Sequence, residues 1–169
     1  EIYDEIRYEG YGPGGTALIV EAMTDNKNRT ASEVRAAFNK FGGSLSETGS
    51  VSFMFDRVGQ MIYAADTASA DAMFEAALEA GADNVESDDD GHEITCATED
   101  FNGVSEALEG QFGAASESGL VWKSQNTIEV GEAQAGTLLK LLDTLDDNDD
   151  VQNVSSNFDI SDDVIVKLT

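Results

Sequence analysis

Residues 60–97 read QMIYAADTASADAMFEAALEAGADNVESDDDGHEITCA, and this stretch decides the fold class. Gln60 to Ala65 is a short apolar run of strand length. Ala70, Met73, Phe74, Ala77 and Leu78 then recur at helical spacing as one apolar stripe, with Asp71, Glu75 and Glu79 together on the outer face. Gly81 stops that helix, since glycine accepts the left-handed backbone of a helix end. Residues 82–87 and 92–97 read as two strands around Asp88-Asp89-Asp90-Gly91, a hairpin turn. Working outward, Phe101, Val104, Leu108 and Phe112 mark a second helix, and Gly119 to Lys123 a last strand. The order βαββαβ predicts a ferredoxin-like unit, with two helices on one face of a four-stranded antiparallel sheet.

The flanking segments show a similar alternation. Thr16 to Thr24 is a continuous apolar run that reads as a buried strand. Thr30 followed by Glu33 fits a capping box. Val34, Ala37, Phe38 and Phe41 continue as a helix that Gly42-Gly43 ends, and the alternation of Val51, Phe53 and Phe55 predicts a strand. Further on, Asn126 to Val130 reads as a strand. Ala135, Leu138, Leu142 and Leu145 mark a helix, Val151 to Ile160 a strand, and Val164 to Leu168 a short closing strand. The economical architecture is α+β with two ferredoxin-like domains. The smaller, residues 59–124, is inserted into a larger discontinuous one formed by residues 1–58 and 125–169.

Composition narrows the chemistry. The 169 residues carry 34 acidic and 9 basic side chains, a net charge of -25, and 41% are hydrophobic, enough for a real core. Charge is uneven. Residues 1–60 hold six basic and nine acidic side chains, whereas residues 61–169 hold three basic and twenty-five acidic. A polyanion such as nucleic acid is repelled by the second portion, so contact with it falls to the first 60 residues or to a basic segment outside this chain. The single cysteine, Cys96, excludes an internal disulfide and any multi-cysteine metal site, and reads as a small buried apolar residue. The single histidine, His92, excludes a multi-histidine centre and is expected at the start of an exposed strand. No apolar run is long enough to span a membrane, and no signal peptide is visible. The chain opens on Glu1, as a fragment or a processed chain does.

Two stretches invite a binding role. Tyr8-Glu9-Gly10-Tyr11-Gly12-Pro13-Gly14-Gly15 reads as a loop before the first buried strand. Free N–H groups in such a loop can cradle an anion, and tyrosines can stack on bases. The same residues fit a tight structural turn equally well, and the stretch lacks the Gly-Lys-Ser/Thr ending of a nucleotide-hydrolysing loop. Lys27, Arg29, Arg35, Lys40 and Arg57 are the main concentration of positive charge, suited to backbone phosphates or, more simply, to a polar helix face. Residues 42–50 form a small-residue loop that is either mobile or a plain connection. The acidic turn at 88–91 fails as a calcium loop. With Glu86, Asp88 and Asp90 as the first ligands, the closing position falls on Ala97, where a bidentate Glu is required. Asp146 to Asp150 is another acidic loop. The sequence presents no nucleophile–base set, no metal cluster and no cofactor motif, so neither catalysis nor a cofactor is expected.

The segments Tyr8–Gly15, Asp25–Thr30, Gly42–Leu45 and Gly49–Phe55, followed by Asp149–Val154 and Asn157–Ile160, resemble the YebC family. That family includes the bacterial regulator PmpR and the mitochondrial translational activator of cytochrome c oxidase. Phe53 stands where many members have Trp and Ser155 where many have Tyr. The family's basic helical N-terminal domain, with its Gly-His-Ser-Lys-Trp-type opening, is missing. The resemblance implies a cytoplasmic, non-enzymatic gene-expression regulator that binds DNA. The alternatives are a ribosome-associated translation factor that relieves stalling at proline-rich sequences, or an interaction module whose acidic domain meets a basic protein. Contact with DNA or ribosomal RNA is then expected at residues 8–15, at the cations of 27–40 and at the missing domain.

Overall fold

Ala17 to Val20, the first half of Ala17–Thr24 (β2), is a fully buried apolar run because both faces of the strand are covered there. In the computed structural model, which describes residues 2–168, Leu18 and Val20 pack with Val34, Phe38, Leu141 and Leu145. Ile19 must point to the opposite side, and it too is fully buried. Asp4–Tyr11 (β1) pairs antiparallel with β2 in a register running from Asp4 opposite Thr24 to Tyr11 opposite Ala17. The short strand Ser44–Ser46 (β3) adds to the free edge of β1. Val151–Ser156 (β9) pairs antiparallel with β2 on its other edge, with a bulge at Glu21/Ala22. The sheet order is β3-β1-β2-β9.

Lys27–Lys40 (α1) and Glu132–Asp146 (α4) supply the helices of this unit. The N-cap of α1 is Asn26, whose Oδ1 accepts from Arg29 N at 3.1 Å. The helix therefore begins ahead of the Thr30/Glu33 box expected from sequence, and Thr30 lies inside it. Its end is as expected: Gly42 takes a left-handed φ of 77° and Gly43 N donates to Phe38 O at 2.8 Å. Ile128–Glu129 (β8) and Phe158–Asp159 (β10) form a two-residue parallel pair. The chain closes with a helix, Asp162–Leu168 (α5), where sequence suggested a strand.

Phe55–Tyr63 (β4) leads into the second unit, followed by Ala70–Ala80 (α2), Asn84–Asp88 (β5), Gly91–Cys96 (β6), Phe101–Phe112 (α3) and Glu117–Ser124 (β7). The sheet order is β5-β6-β4-β7, with β6 antiparallel to both neighbours. Its core joins Met61, Tyr63, Met73, Ala77, Ile94, Cys96, Val104 and Leu108. The hairpin turn forms as sequence suggested. Asp88 Oδ1 accepts from Asp90 N at 2.8 Å and Gly91 N at 3.2 Å, so this carboxylate holds its own turn. Two expectations fail here. Phe74 and Leu78 remain 47% and 50% exposed, because the core contact of α2 is made by Met73, Ala76 and Ala77. His92 is buried rather than exposed.

The chain divides into two compact units, Glu1–Asp56 with Lys123–Thr169, and Arg57–Trp122. The boundaries expected from sequence, 58/59 and 124/125, each lie two residues further along the chain. No helix among the described residues is long and apolar enough to cross a membrane.

The β1–β3 edge generates a stability test. A Cβ on Gly10 would sit 2.6 Å from Ser44 O and 2.9 Å from Phe38 Cε2. Gly10→Ala is expected to destabilise the protein by roughly 2 kcal/mol through overpacking, read as a lowered denaturation midpoint at unchanged slope.

Candidate functional site

The glycine–tyrosine stretch is not a free loop. Tyr8, Gly10 and Tyr11 belong to β1, and only Gly12-Pro13-Gly14-Gly15 forms the connection to β2. That connection is closed on itself. Gly12 N donates to Thr16 O at 2.8 Å, and the Thr16 hydroxyl donates to Pro13 O at 3.1 Å. Gly14 takes a φ of 80°, and a Cβ there would come within 3.2 Å of Gln134 Oε1 on α4. Gly12 and Pro13 are buried, Gly14 is half-buried and Gly15 is exposed. Tyr8 packs against the cluster of Leu18, Val20 and Phe38, and burial pushes its hydroxyl pKa up, with the nearby Asp150 charge adding to it. The stretch thus forms the end of β1 and a tight turn into β2.

Glu9, unremarked in sequence, organises the region. Its carboxylate is fully buried and accepts from three backbone N–H groups, Gly49 at 2.7 Å, Val51 at 3.1 Å and Ser52 at 2.7 Å. Arg7 Nε adds a fourth donor at 3.1 Å. Burial pushes the carboxyl pKa up, yet these donors outweigh it and bring the value from 4.5 down to about 2. The small-residue segment after α1 is thus fastened to β1. Its residues Ser52–Met54 form a 3₁₀ turn instead of the strand suggested by alternating Val51, Phe53 and Phe55. Gln125 Nε2 donates to Phe53 O at 3.2 Å, and Gln125 N to Met54 O at 3.0 Å. On this fixed turn the Phe53 ring is 69% exposed.

The cations divide by what they already hold. Arg29 is committed within the fold. Its Nη2 donates to Asp150 Oδ2 at 3.0 Å and to Asp25 Oδ1 at 3.1 Å. These hydrogen bonds, first with Asp150 and then with Asp25, raise its pKa further. Asp150 is held low in turn, chiefly by the Thr30 hydroxyl at 2.8 Å and then by Arg29, against a partial desolvation. Since Asp150 O also accepts from Met23 N at 2.8 Å, the group ties the start of α1 to the chain entering β9. Lys27 reaches only Asp4, at 3.9 Å with both side chains about half exposed. Arg57 belongs to the other unit and lies over the Trp122 ring at 5.1 Å from its centroid. Arg35 and Lys40 are exposed, with Lys40 at 5.4 Å from the Phe41 ring centroid. At 3.6 residues per turn they edge the solvent face of α1, with Ser32, Ala36 and Asn39 between them. Arg35 and Lys40 are the cations that α1 presents to solvent without an opposing carboxylate among the described residues.

Two further features bear on chemistry. Ser87 Oγ lies 2.7 Å from His92 Nδ1, a pairing that sequence did not reveal. His92 Nε2 faces the carbonyls of Ala65 at 3.2 Å and Ala68 at 3.0 Å. Two acceptors at Nε2 assign the proton of the neutral ring to that nitrogen, so Nδ1 accepts from Ser87. The nitrogen facing serine is thus the proton acceptor, as in a hydrolytic pair, but the other nitrogen is held by two backbone carbonyls where such a pair has a carboxylate, and the ring is buried. The pair fastens β5 and β6 to the turn after β4. Among the described residues, no group of three or more His, Cys, Asp or Glu side chains is placed to hold a metal ion. At the other end of the chain Asn157 is buried, and its Oδ1 accepts from Ala17 N at 2.8 Å, which gives the late motif a structural role.

The profile of the TACO1/YebC second and third domain matches residues 3–158. The chain belongs to the TACO1/YebC family. A crystal structure of a conserved hypothetical protein from Aquifex aeolicus is similar to it at 40% sequence identity, with a TM-score of 0.87. The match covers 96% of this chain and 67% of that one. Family membership thus accounts for the motifs at 8–15, 25–30 and 149–160. The geometry shows that several of their residues, Glu9, Gly10, Arg29, Asp150 and Asn157, are spent on holding the fold.

The Glu9 anchor carries a pH signature. Its folded pKa lies below the ordinary value, so its contribution is complete above about pH 5 and lost as pH falls from 4.5 toward 2. A shift of that size corresponds to roughly 3 kcal/mol. Glu9→Gln is expected to lower stability by about that amount at neutral pH and to flatten the acid limb relative to wild type. Denaturant unfolding of both proteins at several pH values measures the difference, and parallel acid limbs would contradict the assignment.

Proposed function

We propose that this chain is part of a non-enzymatic, cytoplasmic gene-expression regulator that contacts DNA through the solvent face of α1. The observation that carries this reading is the distribution of uncommitted charge. Arg35 and Lys40 stand on one helix with uncharged residues between them, whereas Arg29 is already neutralised by two carboxylates. Phosphate contact requires cations whose donors are still available, because each contact works by releasing condensed counterions. The inserted unit has the opposite character. Between Arg57 and Trp122 there are fifteen acidic side chains and one basic one, so a polyanion is repelled there. We read that unit as ferredoxin-like, on the strength of its βαββαβ order and the strand order β5-β6-β4-β7.

Family membership supports a role in gene expression, and YebC-type proteins are described as transcriptional regulators and as translation factors. Two cations make a small footprint. The proposal therefore gives α1 a positioning role on the backbone and assigns most of the affinity to a basic domain like that of the longer family members.

The test uses the intact protein, including any basic N-terminal domain. Replacing Arg35 and Lys40 together with Ala is expected to weaken duplex DNA binding roughly five- to tenfold and to reduce the log–log salt slope by about two. Mobility-shift titrations at several salt concentrations read both quantities. Co-sedimentation with ribosomes, run on the same variants, separates the translational alternative. Intact protein that binds neither duplex DNA nor ribosomes at low salt would overturn the proposal, and an unchanged salt slope would remove α1 from the interface.

A further inference from the structure

We infer that the outer face of α2 is a docking site for a cationic amphipathic helix of a protein partner. Phe74 and Leu78 lie one turn apart, so their side chains adjoin on the surface, and they remain 47% and 50% exposed. The other exposed residues of that face are Asp71, Glu75 and Glu79, with the small Ala70 and Ala72. At 100° per residue Asp71, Glu75 and Glu79 follow one another along one side of the Phe74/Leu78 pair, Asp71 nearest to it. The helix packed beside α2 in the same core, α3, adds exposed Glu106 and Glu109. Neither helix contains a lysine or an arginine.

This combination selects its occupant. An isolated exposed apolar side chain needs no explanation, but adjoining aromatic and aliphatic anchors inside a field of one sign form a recognition pattern. Helix-in-groove recognition uses anchors at such spacing. The apolar residues of an incoming helix would cover Phe74 and Leu78, and Lys or Arg along one of its flanks would meet Asp71, Glu75 and Glu79. A second copy of this chain would bring carboxylates against carboxylates, and nucleic acid would bring phosphates. Both are disfavoured by charge. The inference is independent of DNA contact at α1, which lies in the other unit.

A labelled synthetic peptide of about 18 residues, built of Lys and Leu with helical amphipathicity, serves as the probe. An isomer with the same composition and a scrambled pattern controls for charge alone. Fluorescence anisotropy with the whole chain is expected to show binding to the amphipathic peptide and at least about tenfold weaker binding to the isomer. Phe74→Ser with Leu78→Ser should weaken the first interaction about tenfold. Glu75→Lys with Glu79→Lys should weaken it comparably and reduce its salt dependence. All four positions are exposed, so the variants should keep wild-type unfolding midpoints. Equal binding of both peptides, insensitivity to the Phe74/Leu78 change, or no binding at low salt would each overturn the inference. Self-association that requires Phe74 and Leu78, seen by sedimentation, would overturn it in favour of a second copy.

Discussion

A carboxylate removed from water must find donors or give up its charge, and in the larger unit Glu9 finds four. The three backbone donors come from Gly49, Val51 and Ser52, some forty residues along the chain, so one side chain fixes both ends of a long connection. The geometry imposes order on its surroundings. Glu9 can meet that turn only if β1 holds its register, with Glu9 opposite Ile19 on β2 and opposite Ser46 on β3. The neighbouring Gly10 then lets the Ser44 backbone and the Phe38 ring approach where a Cβ would stand. Charge pairing and close packing meet at adjacent residues, and each depends on the other's register.

The same accounting of partners governs the cations. Arg29 sits in a motif that sequence alone offers as a phosphate contact, yet its guanidinium is shared between Asp25 and Asp150. Moving it to a phosphate would leave Asp150 with the Thr30 and Thr24 hydroxyls alone and would loosen the junction of α1 with β9. The single nitrogen Nη2 of Arg29 spans both carboxylates and the Thr24 hydroxyl. Arg35 and Lys40 have no such obligation, and that is what qualifies them as contacts. In this chain, the number of basic residues in a segment says less about ligands than the number whose donors are unspent.

Legibility followed the same division. The inserted unit was readable because its signals are local: the Asp88–Gly91 turn, Gly81 at a φ of 103°, and apolar residues at clear periods. Strand β1 was not. Asp4, Glu5, Arg7 and Glu9 break its apolar alternation, and the Gly–Tyr pattern that follows suggests a loop. Nothing local shows that Glu9 is buried, since its partners lie in residues 49–52. Val51 to Phe55 failed for the converse reason. Its period of two is real, but the Glu9 anchor folds the segment into a turn and leaves Phe53 outside. At the C-terminus, Val164, Ile165 and Val166 have strand propensity. The backbone nonetheless forms a helix, with Ile165 N donating to Ser161 O and Val164 joining the Val130, Ala135 and Leu138 cluster.

The apolar stripe of α2 shows where a correct period still misassigns burial. Five residues at helical spacing predict a wide core face, but the width buried is set by what lies opposite. Here the opposing surface consists of Met61, Ile94, Cys96 and the α3 residues Val104 and Leu108, and from α2 it meets Met73, Ala76 and Ala77, with Ala80 at its margin. The smaller alanines bring the helix backbone close to the sheet. Phe74 and Leu78 are then too far around the helix to follow. A stripe wider than its own core is a surface feature by construction. Among carboxylates with no opposing cation on either helix, its chemistry is that of a site complementary to a basic apolar segment.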